Sequence, residues 1–304
     1  MTAEIRWHLT EFLPVNQESR PLRDLLHRQW LLPDRLIHYL RRRQHVLVNG
    51  RYQPVNELVH AGDRVDLLFT GDEVRTPTAN DYRPTPNPRL AVLFENRDLL
   101  VVNKPRGQKS HPNVAGETGT VMNDVAGYLA GSADGAYMVH RLDLQTSGAL
   151  IVAKNPIVVP VLNRLIAMGQ IHREYLAVVE GRLTGAGKWD WPIGRDPRDP
   201  RWHAVDGLHA QPALTYYQGL AASDQRSLVR LHLATGRTHQ LRVHLAHSGH
   251  PIVGDPIYNR ASPEQMLLHG VRQQLLIPFT FQKHEIVAPL PTYFQEYLVK
   301  CKLS

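Results

Sequence analysis

The sequence predicts an α+β protein made of a small N-terminal part and a larger second part. Three observations carry that reading. Two short helical patterns lead into strands before residue 70. The stretch 71–89 is polar and rich in proline, with too few apolar side chains to offset its ordering entropy, and reads as a linker. From Leu90 onward strand-like segments dominate, with only occasional helices between them.

The elements follow in order. Leu22, Leu25 and Leu26, then Leu36, Ile37 and Leu40, recur at helical spacing. His45-Val-Leu-Val-Asn-Gly-Arg51 reads as a strand ending in an Asn-Gly turn, and Arg64–Phe69 as a second strand. In the larger part, 99–102, 149–153, 175–179 and 227–233 have the apolar, β-branched character of strands. Residues 158–168 and 239–247 read as helices, the second with Thr238 as N-cap and Ser248-Gly249 as its stop. The segment 278–291 reads as two short strands ended by prolines. The domain division is therefore 1–70, linker 71–89, and 90–304.

Composition narrows the function classes. Lys plus Arg number 35 against 28 for Asp plus Glu, a net charge of +7 that favours a polyanionic partner through counterion release. Charge alone fits an ordinary basic protein equally well. The basic residues cluster at Arg41-Arg42-Arg43, which by itself is also consistent with a solvated helix face. No run of eighteen apolar residues is present, so no membrane span is expected. The N-terminal residues lack the apolar core of a secretion signal, and a single cysteine, Cys301, excludes an internal disulfide framework. Together these point to the cytoplasm.

The stretch most suited to chemistry is Met138-Val-His-Arg-Leu-Asp-Leu-Gln-Thr-Ser-Gly-Ala-Leu-Ile-Val-Ala-Lys154. A polar loop with His140, Arg141, Asp143, Thr146 and Ser147 leads into a buried strand, where a rigid sheet can position reactive groups. Arg141 beside Asp143 favours the ionised carboxylate. On the residues alone, a turn with an ion pair accounts for this loop as well.

His140-Arg-Leu-Asp-Leu-Gln-Thr-Ser-Gly148 resembles the H-R-L-D-x-x-T-S-G signature of the RluA-type family of RNA pseudouridine synthases. The resemblance extends, in the family's order, through Asn103-Lys-Pro-Arg-Gly107 with His111-Pro112 and Arg173-Glu-Tyr-Leu-Ala-Val-Val-Glu-Gly181. It continues through Thr235-Gly-Arg-Thr-His-Gln-Leu-Arg-Val-His-Leu245, Gly249-His-Pro-Ile-Val-Gly-Asp255, Leu268-His-Gly270 and Ala288-Pro-Leu-Pro291. Residues 21–69 resemble the small S-four-like RNA-binding domain that often precedes this catalytic domain. Departures from the pattern are Gln108-Lys109-Ser110, where apolar residues are usual, and Gly270, where alanine is usual. In the N-terminal part the usual Ser and Gly are replaced around Leu32-Pro33-Asp34 and Arg42-Arg43-Gln44.

The resemblance implies a mixed, largely antiparallel sheet around an RNA cleft. It implies cofactor-free isomerisation of uridine in structured RNA, in large-subunit ribosomal RNA first and transfer RNA second; separately, a monomer is expected. Asp143 would be the essential carboxylate, attacking the uracil or the anomeric carbon or promoting a glycal route. Tyr175 would stack on the uracil, and Arg242 would pair with Asp143; otherwise the two read as a core tyrosine and a helix-surface arginine. Arg141 would take the space left by the flipped uridine. His140, Arg237 and Arg41, Arg42 and Arg43 complete the expected RNA contacts. Two other classes compete. A non-catalytic RNA-binding factor on the same fold predicts degenerate catalytic positions, whereas all three are intact. A metal site at His239, His244, His247 and His250 lacks a His-x-x-x-His or Cys-x-x-Cys clip, so no metal is expected.

Overall fold

The computed structural model describes residues 5–303 except 72, 75–81 and 133, and the linker expectation lies partly outside those described residues. The N-terminal part is a four-stranded antiparallel sheet in the order Trp7–Phe12, Arg64–Phe69, Val46–Val48, Arg51–Tyr52. Its first strand was not anticipated, although Trp7 and Leu9 alternate toward the core. The helix Asp34–Arg43 covers the sheet; the first helical pattern forms one α turn, Leu22–Asp24, that continues as a π-helix over Leu25–Gln29.

The larger part is a ten-stranded, mostly antiparallel sheet. Its path runs Ala186–Trp189, Thr215–Ala222, Arg226–Leu233, His172–Glu180, Leu268–Leu276, Ser147–Ala153, Leu99–Lys104, Val92–Glu95. The four strands expected from sequence are all present, as are the helices Val158–Ala167 and Gln240–His247. The segment expected as two strands instead turns at 278–282, forms one strand at Lys283–Val287, and ends in a helix, Thr292–Lys300, that buries Phe294 and Leu298.

Two features position the site. Ser147–Ala153 and Leu268–Leu276 meet in parallel over only two pairs, Ser147 with His269 and Gly148 with Gly270. There Gly148 has φ +116°, and a Cβ on it would lie 2.3 Å from the Gly270 carbonyl oxygen, so only glycine lets the strands approach. The two parts of the chain are also docked onto each other. Arg164 Nη1 donates to the carbonyls of Leu31 and Leu32 at 3.0 and 3.1 Å, and Trp30 meets Phe279 edge-on at 5.5 Å. The described end of the Pro-rich stretch is packed as well, with Thr85 N bonded to the Asn123 carbonyl at 3.0 Å.

Candidate active site

Asp143 lies in the loop entering Ser147–Ala153, and the backbone on both sides of it is tied down. Ser110 Oγ donates to the Leu142 carbonyl at 2.7 Å and accepts from Leu142 N at 3.0 Å. Gly107 N donates to the Leu144 carbonyl at 2.8 Å. The Lys104 ammonium reaches that carbonyl at 3.3 Å and those of Pro105 and Gln108 at 2.9 and 2.6 Å. Burial pulls Lys104 down to about 7, against the opposing attraction of Asp143. The Asn103-Lys-Pro-Arg-Gly segment thus acts by holding the loop, and Ser110, a departure from the family pattern, is part of the clamp.

Beneath the loop, three charged side chains form a chain. Arg242 Nη1 donates to Asp143 Oδ2 at 3.0 Å, while its Nε and Nη2 grip Asp255 at 2.7 and 2.8 Å. Asp255 is fully buried and also accepts from the amides of Ile257 and Tyr258 at 2.9 and 3.1 Å. Burial alone would raise its carboxyl, but the bonds from Arg242 and the amides hold it below the usual carboxylate range. Arg242 is buried rather than on the helix surface; two carboxylates outweigh its desolvation and keep it firmly charged. Asp255 therefore anchors Arg242, and Arg242 aims Asp143.

Tyr175 is buried beside this chain, and burial pushes its phenol up, keeping it protonated. His239 Nε2 stands 3.9 Å from Asp143 Oδ2 while Nδ1 meets the Tyr258 hydroxyl at 3.0 Å. Burial lowers His239 to about 4, so it stays neutral at working pH. A cavity of about 640 Å³ opens over Asp143 and Tyr175, bordered by His140, Arg141, Arg173 and Arg237.

Several expectations need correction. Thr238 does not cap the helix: its hydroxyl accepts from Arg141 Nη2 at 2.5 Å, and His239 holds the cap position in left-handed conformation at φ +57°. The helix start is instead bent to bring the His239 ring to Asp143. The four clustered histidines weighed as a metal site do not converge. His244 is fully buried between Thr215 and the Trp191 carbonyl, His250 donates to the Glu180 carbonyl, and His247 packs on Trp191. Among the described residues no group of three metal-ligating side chains is assembled.

The expected RNA contacts separate. Arg141 and Arg237 are exposed at the cavity rim. The His140 ring is turned inward, accepting from Ile151 N at 3.1 Å, and burial with Arg173 nearby lowers it to about 3. Arg41 and Arg42 are exposed, whereas Arg43 is held by the buried Glu73 carboxylate at 2.7 Å. Lys104, Ser110, His239 and Asp255 were missed as site residues. The quoted motifs contained all but Ser110, without a spacing rule that assigned them roles.

A family profile described as RNA pseudouridylate synthase matches residues 98–247, and one described as RluD ribosomal pseudouridine synthase N-terminal domain matches 10–65. Ribosomal large subunit pseudouridine synthase D of Escherichia coli (strain K12) is 36% identical over 93% of this chain and 86% of its own. An uncharacterised RNA pseudouridine synthase, YhcT, of Bacillus subtilis (strain 168) is 36% identical over 82% of each chain. Among solved structures, human RNA pseudouridylate synthase domain containing 4 aligns with a TM-score of 0.58 at 26% identity, covering 70% of this chain and 94% of that one. Human RNA pseudouridylate synthase domain containing 1 aligns with a TM-score of 0.56 at 30% identity, covering 69% and 86%.

Proposed function

The chain belongs to the RluA-type family of RNA pseudouridine synthases, and on that premise we propose that Asp143 is the carboxylate with which it isomerises uridines of large-subunit ribosomal RNA. The observation that carries this is the Asp255–Arg242–Asp143 chain beneath an open cavity, which leaves one aimed carboxylate oxygen system facing the space a nucleotide would enter. The reaction breaks the bond between the anomeric carbon and N1, turns the uracil, and joins the same carbon to C5. C5 loses a proton and N1 gains one, so atoms and electrons balance without an added redox or energy source.

Each residue has a part in that sequence. Attack on the uracil, attack on the anomeric carbon and the glycal route all need an ionised Asp143 beside the ribose. Arg242 holds that carboxylate in place through a charge-assisted bond at 3.0 Å, and the neutral His239 adds no second cation beside it. The Tyr175 ring offers a face on which the detached uracil turns without leaving. The exposed Arg141 enters the stack in place of the flipped nucleotide, because the reacting atoms are inaccessible in a paired helix. Arg237 at the rim and Arg41 and Arg42 on the N-terminal part neutralise phosphates.

The N-terminal profile and the D-type relatives favour ribosomal RNA over transfer RNA. We also place the protein in the cytoplasm as a monomer, with the division 1–70, 71–89 and 90–304, which the two profile matches support. Among the described residues, no helix is long and apolar enough to cross a membrane. The test is incubation of the purified chain, in the presence of a metal chelator, with unmodified large-subunit ribosomal RNA and with transfer RNA, followed by pseudouridine mapping. Pseudouridine at one or a few ribosomal sites is expected. Modification of transfer RNA alone overturns the substrate, and loss of activity in chelator overturns the cofactor-free reaction.

A further inference from the structure

Arg173 is 6% exposed, yet its guanidinium has no carboxylate and no hydrogen-bond acceptor among the described residues, and its Nε is fully enclosed without a partner. A buried cation left uncompensated is costly, because desolvation is not returned by an ion pair. The fold offers no internal relief. Alternation along His172–Glu180 puts Arg173 on the same buried face as Tyr175, while Glu174 points to the opposite side and is taken by Arg272 and Arg230. Opposite Arg173 on the neighbouring strand is Gln273, whose Nε2 is bonded to the Ala149 carbonyl and whose Oε1 is unpartnered. A neutral amide could not balance a full charge in any case.

Arg173 borders the cavity of about 640 Å³ over Asp143 and Tyr175. Its two terminal nitrogens stand 3.5 and 3.6 Å from where a Cβ on Gly236 would be. Three arginines line this space, Arg141, Arg173 and Arg237, and the only carboxylate there is Asp143, already paired with Arg242. Arg141 and Arg237 are exposed, whereas Arg173 is buried except where its two terminal nitrogens open onto the cavity. The missing counter-charge must come with the ligand, and the anion that RNA carries is the phosphodiester.

We infer that Arg173 is a phosphate-binding residue that takes a backbone phosphate next to the flipped uridine, pairing its planar fork with two phosphate oxygens. This deepens, and rests on, the reading of the cleft as the RNA site. Arginine suits this task better than lysine would: the fork supplies two directed donors, the ammonium a point charge. The free protein holds the charge at a cost to its own stability, and the RNA removes that cost on binding.

The experiment uses full-length wild type, Arg173→Met and Arg173→Lys with unmodified large-subunit ribosomal RNA, measuring affinity across a salt series and the Tm of each RNA-free protein. Arg173→Met is expected to weaken binding about tenfold and to lower the slope of log K against log salt by about one, the signature of one lost phosphate contact. Its RNA-free Tm is expected to rise by about 2 °C or more, since an uncompensated charge is gone. Arg173→Lys should retain the slope while losing part of the affinity. An unchanged affinity and slope in Arg173→Met overturns the proposal, as does a lowered Tm with the slope unchanged, which makes Arg173 a structural residue. Wild-type protein that binds with the full slope but forms no pseudouridine overturns the enzymatic reading instead, leaving the phosphate contact standing.

Discussion

In the cleft, Arg242 is 4% exposed and shares its guanidinium between Asp143 and Asp255; at the end of the N-terminal helix, Arg41 and Arg42 stand in solvent. The same side chain does opposite work in the two places. Buried and doubly paired, arginine fixes the position of a cleft carboxylate, and removing one partner leaves the rest stranded in a medium of low dielectric. Exposed and unpaired, it contributes to association through long-range attraction and costs the fold almost nothing. Arg43 shows the boundary between these roles. It belongs to the same basic run, but the buried Glu73 turns it into a structural residue.

This contrast can be broken by substitution. Asp255→Ala should have the largest effect on folding, about 3–5 kcal/mol in chemical denaturation, because Arg242 keeps its burial and loses its bidentate partner. It should also reduce kcat by releasing Arg242 from its aim at Asp143. Retention of both wild-type stability and kcat would show that Asp143 needs no anchor. Ser110→Ala leaves Leu142 N and its carbonyl without their shared partner and should cost about 1–3 kcal/mol, with kcat falling more than KM rises.

A pH series probes the same cleft. Burial lowers His140 to about 3 and His239 and His269 to about 4, against 6.5 when the chain is unfolded. Between those values the unfolded chain binds more protons than the native one, so stability falls as pH drops from about 6.5 toward 4. Tm measured over that window should decline steadily; a level Tm would contradict neutral, buried imidazoles. Smallest in folding terms is Arg41→Ala with Arg42→Ala, Arg43 being retained. Stability should stay within about 0.5 kcal/mol, while the salt slope of RNA binding falls by about two. An unchanged slope would make that helix end a solvated face.

The same contrast explains what could be read from sequence. That Asp143, Tyr175 and Arg242 would lie together was legible because they sit inside contiguous motifs, and the main strands because their apolar runs have no competing pattern. Asp255 was in view but had no readable role, since only the fold reveals that the loop after Gly254 returns beneath Arg242. Lys104 and Ser110 act on backbone carbonyls, a partner that sequence spacing does not name. His239 depends on a left-handed cap, and capping statistics favour Thr238 instead. The first strand and the last helix were short amphipathic segments whose apolar faces, Trp7 with Leu9 and Phe294 with Leu298, are decided by what they pack against. The orphaned Arg173 illustrates the limit most plainly: a strand arginine becomes informative only once the carboxylate near it is known to be taken by another arginine.

The measurement that tests the central claim most directly is pseudouridine mapping of large-subunit ribosomal RNA incubated with wild type and with Asp143→Asn. Tm and RNA affinity are recorded for both proteins alongside. Asp143→Asn preserves the shape of the side chain and removes the charge facing Arg242. The account predicts an unchanged RNA affinity and loss of turnover by roughly 10³-fold or more, the scale on which an essential acid–base or nucleophilic carboxylate falls. Asp143→Asn that folds, binds RNA and still forms pseudouridine at the wild-type rate would contradict it.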